Sequence, residues 1–187
     1  MRAIRLSTVQ LRGAALLALT MLFVPVLSVA AFPVQGGQAD LAAIRNATAK
    51  YHDVNTAIAD GYGPFYICTD KEGVGTMGQH YVKGPLVGDP AVDPLRPEAL
   101  VYEPQKDGGL KLVAVEYVTF QADWHAAFGE GTPSILGRPM IAVGAGNRYG
   151  LPPFFERHVW LWSPNPLGIY EDWNPSVTCR GNGDPAV

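Results

Sequence analysis

The residue types able to do metal or acid–base chemistry are few and widely spaced in this 187-residue chain. It has four histidines, His52, His80, His125 and His158, and two cysteines, Cys68 and Cys179. Glu116 stands inside the run Leu-Lys-Leu-Val-Ala-Val-Glu-Tyr-Val-Thr-Phe, residues 110–120, the longest β-favouring stretch after the N-terminal segment. Alternation over that strand puts Leu112, Ala114, Val118 and Phe120 on the same face as Glu116. A carboxylate in an apolar row is costly unless something pairs with it. His80 and His158 likewise fall mid-strand on faces otherwise apolar or aromatic. If the three faces coincide, two imidazoles and a carboxylate converge, a ligand set suited to Zn, Cu or non-haem Fe. His52 or His125 would complete or orient it. The competing readings are a metal-free acid/base pair of Glu116 with His80, and an inert buried polar network. The chain contains no His-x-His and no H-E-x-x-H, so the expectation rests on strand parity alone.

The elements that must position these groups are legible in outline. Asp40 is a plausible N-cap for a helix running to about Asp60, with Leu41, Ile44, Thr48, Tyr51 and Ile58 as its apolar stripe. Strands are expected at 65–68, 76–83, 99–103, 110–120 and 154–162, with a brief one at 140–143. Asp107-Gly108-Gly109 marks a hairpin turn joining 99–103 to 110–120. Residues 84–97 hold four prolines and read as a surface loop; 121–153 is Gly- and Pro-interrupted, with one helical turn around Trp124–Phe128. The fold class is α+β: a single domain over 31–187, an N-terminal helix on a mostly antiparallel sheet, long Gly/Pro-rich loops and a C-terminal arm.

Residues 1–30 carry Arg2, Arg5 and Arg12, an apolar run and the small-residue exit Ser28-Val29-Ala30, the pattern of a signal peptide. A retained membrane anchor is the rival reading. Cleavage would leave 157 residues with net charge −6, since the leader holds three of the 14 basic residues and none of the 17 acids. An acidic domain without a basic run argues against nucleic acid and anionic membrane as partners, leaving a metal ion or small ligand. In an exported chain Cys68 and Cys179 are expected to form one disulfide that ties the C-terminal arm to the first strand.

The segments Ala49-Lys50-Tyr51-His52-Asp53-Val54, Gly75-Thr76-Met77-Gly78-Gln79-His80-Tyr81-Val82, Asp93-Pro94-Leu95-Arg96-Pro97-Glu98-Ala99-Leu100-Val101-Tyr102 and His158-Val159-Trp160-Leu161-Trp162, followed by Asn174-Pro175-Ser176-Val177-Thr178-Cys179, resemble a family of exported bacterial proteins of unestablished function. The resemblance spans most of the chain after the leader and implies secretion and a single domain. It brings no reaction or cofactor and no site residues. Members of that family place a His before the Asn-Pro that follows Trp-x-Trp; this chain has Pro164 there. Three functions therefore stand: an exported binding protein with a His/Glu site, a hydrolase- or oxidase-like enzyme using the same residues, and a structural or interaction protein.

Overall fold

The computed structural model describes residues 37–182, so the leader and its cleavage lie outside the described residues. The expected α+β architecture is present: helices cover one face of a six-stranded antiparallel sheet ordered β1-β2-β3-β4-β8-β7. The strands are β1 (Gly63–Lys71), β2 (Gly75–Val82), β3 (Ala99–Pro104), β4 (Leu110–Phe120), β7 (Ile141–Val143) and β8 (Phe154–Val159). Ser134–Ile135 and Arg138–Pro139, β5 and β6, form a separate two-stranded ribbon.

The N-terminal helix is not continuous to Asp60. It comprises α1 (Gln38–Thr48), a 3-10 turn (Ala49–His52) and α2 (Val54–Ala59). Asp53 causes the break: it takes an extended backbone (φ −89°, ψ 108°) and its carboxylate accepts from Asn55 N, capping α2. The N-cap of α1 is Gly37, and Asp40 sits three residues inside, accepting from Gly37 N at 2.9 Å. Leu41, Ile44, Thr48 and Tyr51 are buried as the stripe requires, but the break rotates α2, so Ala57 is buried and Ile58 is half exposed. These helices pack on Leu100, Tyr102, Leu112, Val115 and Tyr117. Tyr102 Oη fastens the layers by donating to the Tyr51 carbonyl at 2.8 Å.

Strand β4 is the central rod, with Val113–Thr119 nearly all inaccessible on both faces. That is why it reads as a near-continuous apolar run. Its hairpin with β3 forms as expected, the turn closed by Gly108 N donating to the Gln105 carbonyl. A bulge interrupts the ladder: Val101 opposes Ala114, but Tyr102 opposes Leu112. The extra residue, Val113, shifts the side-chain alternation. Leu112 therefore joins Val115 and Tyr117 under the helices, while Val113 joins Ala114 on the other face. The expectation that Leu112 shares a face with Glu116 is corrected on this point.

The other face is covered by chain without regular structure. Short α3 (Gly84–Val87), the 144–153 loop and the 160–179 arm pack there. The 121–128 segment is a two-turn helix, α4, longer than expected. Arm and sheet are joined twice: Thr76 and Asn174 exchange backbone hydrogen bonds at 3.1 and 3.0 Å, and Cys68–Cys179 form a disulfide. Gly75 permits the first, because a Cβ there (φ +141°) would sit 2.6 Å from the Asn174 carbonyl carbon.

Candidate metal centre

Sheet register decides which side chains meet. Glu116 pairs directly with His158 on β8 and with Ala99 on β3. His80 pairs with Val101, which pairs in turn with Ala114. Paired residues point the same way, so His80, Glu116 and His158 share the face opposite the helices. Their ligand atoms lie within 4.8 Å of one another, and all three residues are buried. His80 Nε2 is 3.2 Å from His158 Nε2 and 3.3 Å from Glu116 Oε2.

The N-terminal helices occupy the other face; α3, the loops and the C-terminal arm roof the cluster. The two remaining histidines are elsewhere. His52 is exposed on the helix side, its ring 4.3 Å from that of Trp162. His125, on α4, packs edge-on to Phe155 and lies 3.3 Å from the Gly131 carbonyl.

Two acids missing from the sequence-based ligand set belong to the centre. Glu156 is buried on β8 on the same face, and its charge adds to burial in raising the Glu116 carboxyl. It shares alternation with His158, and that was the available signal. Asp172 Oδ1 stands 3.7 Å from His158 Nδ1, which also lies 3.9 Å from Glu116 Oε1; among the described residues neither Asp172 Oδ1 nor His158 Nδ1 makes a hydrogen bond. No periodicity locates Asp172, because it lies in the irregular arm. The arm is nevertheless held firmly there: Trp160 stacks on His158 with rings 15° apart, and its Nε1 donates to the Glu171 carbonyl. Asn165 Nδ2 holds the Trp173 carbonyl at 2.9 Å on the other side of Asp172.

The electrostatics separate the two imidazoles. Burial, reinforced by repulsion from His158, pushes His80 down to about 3, so it is neutral. The Gly78 backbone acts on the ring in the opposite sense, and Nε2 faces the cluster. Burial pulls His158 down too, but Glu116, Asp172 and Glu156 outweigh it and hold His158 up at about 9. Burial also raises Glu116 and Glu156. The cluster thus gathers three carboxyl groups around two imidazoles; Arg148 also acts on Glu156 from the loop. A divalent cation would supply the countercharge and relieve the raised carboxyl groups.

The geometry suits one ion. Two nitrogens 3.2 Å apart, each about 2.0–2.1 Å from a common metal, subtend about 100° at it. The 3.3 Å separation of His80 Nε2 and Glu116 Oε2 gives a similar angle. His80, Glu116 and Glu156 also form one end of a cavity of about 320 Å³ whose other walls are largely aliphatic and aromatic.

No protein-family profile, curated protein or solved structure matches this chain. The chemistry of the centre is therefore read from its own geometry.

Proposed function

We propose that this is an exported protein that binds one transition-metal ion, Zn, Cu or non-haem Fe, through His80, Glu116 and His158. The observation that carries the reading is the buried cluster itself: the two Nε2 atoms lie 3.2 Å apart, His80 Nε2 is 3.3 Å from Glu116 Oε2, and one ligand atom from each residue falls within 4.8 Å of the others. Asp172 beside His158 Nδ1 supplies the carboxylate partner that metal-bound imidazoles usually have. Export is supported by the leader-like first 30 residues and by the Cys68–Cys179 disulfide. Among the described residues, no helix is long and apolar enough to cross a membrane.

A second reading, a metal-dependent hydrolase or oxidase, is favoured by the cavity. Three protein ligands with an open side are the arrangement of catalytic rather than structural metal sites. Glu156 stands where a general acid/base would be needed.

The test is metal uptake. Protein stripped with a chelator and dialysed separately against Zn(II), Cu(II) and Fe(II) is expected to retain one equivalent of at least one of them. Glu116→Gln and His158→Ala should lower that retention at least about tenfold. No stoichiometric ion, together with a melting temperature unmoved by all three, would refute the proposal.

A further inference from the structure

The cavity beside the metal centre is not used by the ligand set itself. We infer that it binds a small, largely apolar molecule of about ten non-hydrogen atoms whose one oxygen-bearing head coordinates on the side of the metal that the protein leaves open. This rests on the metal reading above. The cavity holds about 320 Å³, and at about 30 Å³ per water-sized group that is room for about ten such groups. Its body is walled by Val82, Val87, Val118, Phe120, Leu151 and Phe154, which offer dispersion and burial but no hydrogen bonds. The acidic and imidazole groups of the wall, His80, Glu116 and Glu156, are gathered at the metal end. A second polar end would meet no polar side chain of the lining except the Tyr149 hydroxyl. Among the described residues no Lys or Arg lines the cavity, which disfavours phosphate and other polyanions.

The covering segment is built to stay in place. Asn147 Nδ2 donates to the Gly144 and Leu151 carbonyls at 2.9 and 2.8 Å, and its Oδ1 accepts from Leu151 N at 3.2 Å. One side chain thus closes the loop that brings Tyr149 and Leu151 over the cavity. Tyr149 packs at 5.8 Å from Phe65 and 6.1 Å from Phe154, ring centre to ring centre.

The test uses the full chain after leader removal, loaded with Co(II), whose visible absorption reports its coordination sphere. Two probes share one oxygen-bearing head and differ in body: benzohydroxamate and acetohydroxamate. Both should perturb the cobalt bands, benzohydroxamate with a dissociation constant at least about tenfold lower because its ring is buried. Leu151→Trp, and independently Val87→Phe, should fill the cavity and abolish that preference while leaving acetohydroxamate affinity within about twofold. Equal affinities in the unmodified protein, or a preference untouched by both substitutions, would overturn the inference and leave the metal reading standing. Absence of cobalt bands altogether would overturn both.

Discussion

Asp172 Oδ1 and His158 Nδ1 face each other at 3.7 Å, with Glu116 Oε1 at 3.9 Å from the same nitrogen, inside a cluster that already contains two further carboxyl groups. A bound metal drawing electrons from Nε2 would strengthen that Nδ1–H as a donor. Asp172→Asn is therefore expected to weaken metal binding about 10–100-fold, read by competition with a chromophoric chelator, while His80→Ala weakens it further and leaves a site that fills only at higher metal concentration. Glu98 makes a separate residue-level test away from the centre. It is buried just before β3, accepts from Val118 N at 3.1 Å, and burial raises its pKa to about 8. Between about pH 4.5 and 8 the folded chain keeps a proton that the unfolded chain has lost, so this group's contribution to stability is full at low pH and falls as pH rises through that window. Glu98→Gln should flatten this decline, giving a variant more stable than the parent above pH 8 in denaturant titrations and little different near pH 4. A parallel decline in both proteins would show that Glu98 is not its source. At this scale the sequence was informative where alternation applies: His80, Glu116 and His158 are strand residues, and parity put them together. Asp172 was invisible because its position is set by turns and by Trp160 and Asn165, not by a period.

At the scale of elements, irregularities matter more than propensities. The β3–β4 bulge at Val113 reverses the alternation, so parity counted from Leu112 gives the wrong face for that residue and the right one for Ala114, Glu116 and Val118. The helix break at Asp53 has the same character: a run of helix formers is interrupted because one carboxylate caps a new start. Gly78 on β2 is a third such point. It has φ +97°, and a Cβ there would lie 2.6 Å from Val101 Cγ1 and 3.0 Å from the Tyr102 carbonyl oxygen. Because it stands two residues before His80 on the same face of β2, it also helps to position that ligand. Gly78→Ala is expected to cost about 1–3 kcal/mol or more in chemical denaturation and to weaken metal binding further than Gly84→Ala, where a Cβ meets nothing within 4 Å. Equal effects at the two positions would contradict this role for Gly78.

Over the whole molecule, one sheet separates two layers of different kind: helices on one face, loops and a cross-linked arm on the other. The α+β class, the hairpin and the Cys68–Cys179 pairing were legible because patterning and cysteine parity fix them. Which face the helices would cover was not, since β4 is apolar on both sides and favours neither. The arm supplies Asp172 and the roof over His158, so its attachment bears on stability and site alike. The disulfide closes a sequence separation of 111 residues, and the chain-entropy model gives about 4–5 kcal/mol for it. Cys68→Ser with Cys179→Ser should lose a large part of that in denaturant unfolding and also reduce metal retention. A stability loss with unchanged retention would show that the arm holds Asp172 without the cross-link.

The central claim is that imidazoles 78 residues apart in sequence and the Glu116 carboxylate bind one ion together. X-ray absorption at the edge of the retained metal reads this directly. The expected nearest shell contains two imidazole nitrogens and carboxylate oxygen at about 2.0–2.2 Å, with the outer-shell scattering of two histidine rings that falls to one in His80→Ala. A retained ion surrounded by oxygen alone, or a spectrum unchanged by His80→Ala, would contradict it.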